Sequence, residues 1–297
     1  MDKKILGVDI GATKIQLGIV QDSRVMQEIK FPTLSGSSKE DIIHNLINGI
    51  ESLGNNDFQG IGIGVPGLVD EKQGIVYDLL NISSWKKVHL KKHLEDHFKI
   101  PVKITNDANI FALGQKIFGE GRNFRNMVGI TMGTGFGTGI IADDKLYSGT
   151  LSSAGELGSI PYLDKTIEDY CSGKFFRNQH NLKGGEVYNR AQKGDAHALE
   201  IMEEFGRHLG NAIKLILFIL SPEAIFLGGS VSRSFNYFEN TLRTSLDDFP
   251  FKKVLDQLVI QASDMENISI LGAAALIISE EKEQKLNNSD EKKSIIP

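Results

Sequence analysis

Short apolar runs broken by glycine alternate along this chain with longer stretches whose apolar residues recur at helical spacing. Residues 4–20 read as strand, glycine turn, strand, and Val25 to Phe31 as a third strand. From Ser38 to Leu53 the apolar positions Ile42, Ile43, Leu46, Ile47 and Ile50 share one helical face. Ile61 to Val65 is a short buried strand stopped by the Pro66-Gly67 turn signal. Val88 to Phe98 predicts a helix, Val102 to Thr105 a strand, and Ala108 to Phe118 a helix capped by Asn106 or Asp107. A second strand–turn–strand follows at Val128 to Ile141. Leu199 to Leu220 is apolar enough for one extended helix or two consecutive ones, Ala224 to Leu227 is a buried strand running into Gly228-Gly229-Ser230, and Ile268 to Ile278 is an alanine-rich helix. Hairpins followed by strand–helix units indicate a mixed α/β protein and not an all-parallel one.

The second hairpin repeats the first. A displacement of 122 residues lays Gly7 on Gly129, Gly11 on Gly133, Ile19 on Ile141 and Asp22 on Asp144. One explanation is a duplication giving two lobes of related fold that face one cleft; the other is coincidence between two glycine-rich hairpins. The stretch after Ser279 holds five acids and four lysines with little apolar content, and is expected to be disordered.

Composition narrows the function classes. With 297 residues, 40% of them hydrophobic and 24% charged, the chain can bury two cores. A formal net charge of -5 offers no attraction to nucleic acid or anionic lipid. A single cysteine, Cys171, forbids an intramolecular disulfide and fits a reducing cytoplasm. The apolar run Leu215 to Leu220 falls far short of the roughly 20 residues of a membrane span, and the first strand is too short for a secretion signal.

Three segments carry candidate chemistry. In Asp9-Ile10-Gly11-Ala12-Thr13-Lys14, small residues let backbone amides approach phosphate oxygens, Thr13 adds a hydroxyl, and Asp9 can hold magnesium directly or through water. A plain tight hairpin explains that segment equally well. Gly133-Thr134-Gly135-Phe136-Gly137-Thr138-Gly139 places four glycines in seven residues, an entropic cost that an anionic ligand explains better than a hairpin does. Two such turns together suggest a phosphate clamp. Asp107, where a strand enters a helix, can accept a proton from a hydroxyl attacking phosphorus, although capping alone accounts for the local pattern.

Taken in order, Asp9 to Lys14, Gly64-Val65-Pro66-Gly67-Leu68-Val69-Asp70, Asn81 with Trp85, Asn106 to Asn109, the turn at 133–139, Ala154-Gly155-Glu156-Leu157-Gly158, Glu168 with Ser172-Gly173, and Leu227-Gly228-Gly229 resemble the ROK family of sugar kinases over roughly residues 4–278. The family belongs to the sugar kinase/actin/Hsp70 superfamily. The resemblance implies an actin-like, ribonuclease H-like two-lobed fold with ATP and magnesium bound in the cleft. It also implies γ-phosphoryl transfer to a hexose 6-hydroxyl, with glucose the default. Asp107 would be the general base; Gly67, Asn81, Asn106, Glu156, Ser159 and Glu168 would meet the sugar. Asp9, Gly11, Ala12, Thr13, Lys14, Gly133, Thr134 and Gly135 would hold phosphates, with Gly228 and Gly229 near adenosine. Residues 1–108 would form a small lobe completed by the helix at 268–279, residues 109–267 a large lobe, and 280–297 the tail. A homodimer is implied by the family.

The chain departs from that pattern at Ser159, where many members have histidine followed by a cysteine-rich zinc loop. Only eight residues, Ile160 to Ile167, precede Glu168, and none is cysteine or histidine, so no zinc site is expected. The shorter serine leaves room for a 2-acetamido group, which keeps an N-acetylmannosamine or N-acetylglucosamine kinase as an alternative. A sugar-responsive transcriptional regulator is the alternative of another class; the kinase-like lobe starting at residue 4 and the acidic charge weigh against it. An actin-like ATPase or inactive nucleotide-binding scaffold is a further alternative, opposed by Asp107, Glu156 and Glu168.

Overall fold

In a computed structural model, which describes residues 4–54, 57–79 and 81–279, the two hairpins found in the sequence nucleate two separate five-stranded sheets. The strand Ile5–Ile10 is buried on both faces because it lies third in its sheet. It pairs antiparallel with Lys14–Gln21 on one side and parallel with Ile61–Val65 on the other. Val102–Asn106 extends the parallel side. Arg24–Pro32 closes the antiparallel edge, and its exposed Glu28 and Lys30 pair with each other at 3.2 Å. Charge along an edge strand is a defence against pairing with another chain.

The second sheet repeats this plan. Met127–Met132 and Phe136–Ala142 form the antiparallel hairpin, Lys145–Leu146 continues that edge, and Ala224–Gly228 with Val259–Ala262 supply the parallel side. Strand starts at 5 and 14 reappear at 127 and 136, the same displacement seen in the sequence. The left-handed turn residues Asp22 and Asp144, with φ of 51° and 69°, coincide as well. Coincidence between hairpins does not produce the same strand order around them.

Contacts divide the chain into two compact units. The first takes the chain up to Glu120, Ser148–Ser153 and the chain from Glu266; the second takes Gly121–Tyr147 and Ala154–Met265. The boundary expected at residue 108 therefore moves to 120. The cause is close packing of the helix Asp107–Ile117 inside the first unit: a Cβ on Gly272 would lie 1.7 Å from the Ile110 carbonyl oxygen. The helix over 268–279 belongs to this unit, while residues 280–297 lie outside the described residues.

Each unit has its own core. In the first, Ile42, Leu46 and Ile50 of the helix Lys39–Ser52 are fully buried against sheet residues such as Val8 and Ile63, and Trp85 is fully buried beside them. Ser38 caps that helix by accepting the Asp41 N–H at 3.1 Å. In the second, Ala196–Ile219 is one helix of 24 residues, and its Met202, Phe205, Leu209 and Ile213 face strand residues Ile225 and Leu227. No helix among the described residues is long and apolar enough to cross a membrane.

Candidate active site

Asp9 is the penultimate residue of a buried strand and Asp107 begins a helix, both in the first unit. Burial disfavours their charged forms, and the negative charge of Asp107 adds to the effect on Asp9, so Asp9 rises to about 7 although Lys14 acts against it. Asp107 is also raised by burial, which its hydrogen bonds with the backbone N–H groups of Ala108 and of itself only partly oppose. No basic side chain offsets that burial. Two carboxylates whose charged forms are disfavoured are a poor structural device and a suitable one for proton transfer or for a divalent cation.

The residues around them are tightly specified. Asn106 caps the Asp107–Ile117 helix through Oδ1, which accepts the Ala108 N–H at 2.8 Å, while its Nδ2 donates to the Gly67 carbonyl at 3.2 Å. Capping and the contact with Gly67 thus coexist at this one residue. Gly67 has φ of +87°, which a side chain would strain, so its carbonyl is presented to Asn106 at little cost. Asn81 sits in an exposed turn. In the first glycine turn, the Gly11 N–H donates to the Lys14 carbonyl at 2.9 Å and the Gly11 carbonyl accepts the Thr33 hydroxyl at 2.6 Å. Thr13 and Lys14 are exposed and Ala12 is partly so.

The second unit carries the other turn. The Gly133 N–H donates to the Gly135 carbonyl at 3.0 Å, and the Gly133 carbonyl accepts the Gly173 N–H at 2.7 Å. Gly229, with φ of +84°, lies so close to Met132 that a Cβ would stand 2.4 Å from its carbonyl oxygen. The structure therefore brings Gly228-Gly229 beside the 133–135 turn, as Thr131 also pairs with Gly228. A cavity of about 510 Å³ opens here, lined by Gly133 and Thr134, by Ser230 and Val231, and by Gly173, Arg177, Tyr188 and Arg233.

Glu168 lies against the same turn: its Oε2 accepts the Phe136 N–H at 3.0 Å, and Lys174 pairs with its other oxygen. Glu156 precedes and Ser159 ends a short 3-10 turn, and both are exposed. Cys171 is fully buried and its thiol is pushed up by desolvation, a packing residue and not a reactive one. Among the described residues no group of three or more His, Cys, Asp or Glu is placed to hold a metal ion.

Sequence reasoning missed most of the cavity wall. Arg177, Lys183, Gly184, Tyr188 and Asn189 lie on or beside the helices Gly173–His180 and Gly184–Ala191. Gly184-Gly185 reads as a loop signal, yet it opens a helix. The cluster Lys174, Arg177 and Lys183 just after Ser172-Gly173 was the available clue.

The chain is 28% identical to the glucokinase of Thermotoga maritima, with 92% of this chain and 97% of that protein aligned. It is 27% identical to the xylose repressor of Bacillus subtilis, covering 92% of this chain and 76% of the repressor. Among solved structures, a ROK family glucokinase from Streptomyces griseus in complex with glucose and AMPPNP superposes with a TM-score of 0.80, at 27% identity and over 92% of this chain and 98% of that one. A family model for ROK matches residues 5–280, and the chain belongs to the ROK family.

Proposed function

We propose that this protein is an ATP-dependent hexose kinase that transfers the γ-phosphoryl group to a sugar 6-hydroxyl, with glucose as the default substrate. The observation that carries the reading is Asp107, a partly buried carboxylate whose charge acts on Asp9 and which opens a helix directly after Asn106, whose side chain bonds the Gly67 carbonyl. The glucokinase relatives and the AMPPNP and glucose held by the Streptomyces griseus protein support the choice of substrates.

In this reading the sugar oxygen attacks the γ-phosphorus and its proton passes to an oxygen of Asp107. The bond from phosphorus to the β–γ bridging oxygen breaks, and ADP leaves with the electron pair. Of the residues that the family resemblance assigns to the sugar, Gly67, Asn81 and Asn106 belong to the first unit, and Glu156, Ser159 and Glu168 to the second. Gly11 to Lys14 and Gly133 to Gly135 offer the phosphates backbone and hydroxyl donors. Gly228 and Gly229 flank the cavity whose Tyr188 and Arg177 suit a base and ribose. A magnesium ion bound with the nucleotide supplies charge neutralisation, and Asp9 is the residue to hold it, because a cation relieves its conflict with Asp107. Positioning and charge stabilisation do the rest.

The test is coupled ADP release over glucose, mannose, fructose, allose and the acetamido hexoses, run on the wild type and on Asp107→Asn. Loss of a general base lowers kcat by roughly 10²–10⁴-fold. Near-native turnover by the variant would remove Asp107 from that role. Preference for an acetamido sugar would select the alternative that Ser159 leaves open. The repressor relative gives a second reading, a sugar-responsive regulator. Sugar binding by calorimetry without sugar-dependent ADP release would favour it.

A further inference from the structure

Glu71, just after the strand Leu68–Asp70, has no part in the chemistry above, yet its carboxylate is the hub of a network of hydroxyl groups. Its Oε1 accepts the Thr105 hydroxyl and, at 2.9 Å, the Ser152 hydroxyl. Its Oε2 accepts the Ser148 hydroxyl at 2.9 Å. Thr105 in turn accepts the Asn109 side-chain amide at 3.1 Å. Among the described residues this partly buried carboxylate takes three hydroxyl donors and no cationic partner, so part of its hydration is given up without an opposite charge to offset the cost. An apolar contact would serve packing better.

What the carboxylate grips has two parts. Thr105 is the fully buried strand residue that leads directly into Asn106 and Asp107. Ser148 and Ser152 belong to the strap Ser148–Ser153, a first-unit segment between two stretches of second-unit sequence. The strap is bent through two successive non-glycine residues in the left-handed region, Leu151 with φ of 53° and Ser152 with φ of 54°. Such a conformation persists only where its surroundings hold it. Leu151 is 37% exposed, so burial of its side chain is not what holds it, whereas Ser152 is 2% exposed and bonded to Glu71. Immediately beyond the strap come Ala154-Gly155-Glu156.

We propose that Glu71 is a positioning residue, one carboxylate that ties the strand end delivering Asn106 and Asp107 to the strained strap Ser148–Ser153. The inference rests on the sugar kinase reading, in which Asp107 takes the proton and Asn106 meets the sugar. Glu71 touches neither. It braces the strand end from which both side chains project. Replacing it disturbs sugar binding and turnover together and leaves the nucleotide interaction of the 133–135 turn intact.

The experiment compares wild type, Glu71→Gln, Ser148→Ala and Ser152→Ala by steady-state ADP release on the best sugar, with thermal melting as the control for folding. Glu71→Gln keeps the shape but turns one accepting oxygen into a donor. Well below its melting temperature it should show a sugar KM roughly tenfold higher and a kcat roughly tenfold lower, with the ATP KM unchanged. Ser152→Ala should move the same constants in the same direction by less. A purely structural role lowers the melting temperature and leaves sugar KM and kcat within twofold of wild type, and that result overturns the proposal. Should Glu71→Gln fail to fold, the two serine variants decide it, since each removes a single donor. A wild type inactive on every sugar would defeat the kinase reading and this inference together, whereas an active wild type with unaltered variants defeats only the role of Glu71.

Discussion

At Asp9 the stability of the molecule and its proposed activity pull in opposite directions. The side chain ionises near 3.8 when solvated and at about 7 in the folded protein. Between those values the unfolded chain has released its proton and the folded chain has kept it, so this residue makes folding less favourable as pH rises through that window. Above pH 7 the full penalty applies, on the order of 4 kcal/mol from the size of the shift. Asp9→Asn removes it. The variant without nucleotide should melt at a higher temperature than wild type at pH 8, with the gap closing toward pH 4, and it should lose sugar-dependent ADP release. A variant that melted no higher at pH 8 would show that the Asp9 carboxylate is already relieved within the protein. Neither the burial nor the Asp107 charge is visible in the motif around Asp9. The motif named the residue, but a pKa depends on neighbours nearly a hundred positions away.

Among the elements, the short segment between Ser159 and Glu168 shows how the chain manages without the cysteine-rich loop of many relatives. Pro161–Tyr162 and Lys165–Thr166 form a hairpin of two-residue strands, followed by the helix Ile167–Cys171 that carries Glu168. The Tyr162 hydroxyl meets His208 Nδ1 at 3.1 Å and accepts the Asn211 amide at 3.0 Å, tying the hairpin to the long helix. Tyr162 and Tyr170 pack edge to face with ring centroids 5.4 Å apart, and the Tyr170 hydroxyl donates to Asp164. Burial holds His208 below its ordinary range despite the pull of Glu204, which favours the neutral ring that suits this role. Tyr162→Phe keeps the ring packing and deletes both polar contacts, costing about 1–2 kcal/mol, read as a melting temperature lower by a few degrees. Chelators such as EDTA or phenanthroline should leave the wild-type melting temperature unchanged; a drop would reveal a metal that the residue pattern does not predict. Two-residue strands carry no periodicity and leave no signal of this hairpin, while the apolar face of the helix it docks on is legible, although whether it is one helix or two is decided only by the structure.

On the scale of the whole molecule, duplication explains why so much was legible. Strands expected from apolar patterning lie within a residue or two of their observed ends, because each is long enough to show a pattern, whether central and buried as Ile61–Val65 is or at a sheet edge as Arg24–Pro32 is. The small sheet of Leu68–Asp70, Ile75–Tyr77 and Lys87–Val88 escaped notice for the opposite reason, being short and irregular. The placement of the helix Asp107–Ile117 in the first unit also escaped, since it depends on backbone approach and not on pattern. That approach supplies a last test. The 268–279 helix packs on the first sheet so closely that a Cβ on Gly62 would stand 1.8 Å from the Ala273 carbonyl oxygen. Backbone cannot yield as a flexible side chain does, so Gly62→Ala must push helix from sheet, at a cost of about 1–3 kcal/mol or more. The chain has one tryptophan, Trp85, fully buried in the core of this same unit, and its fluorescence therefore reports on the unit alone. In urea the Gly62→Ala midpoint followed by that fluorescence should fall well below the wild-type value. An unchanged midpoint would mean that the helix over 268–279 is not seated on this sheet in solution, and with it would go the closure of the first unit by the far end of the chain.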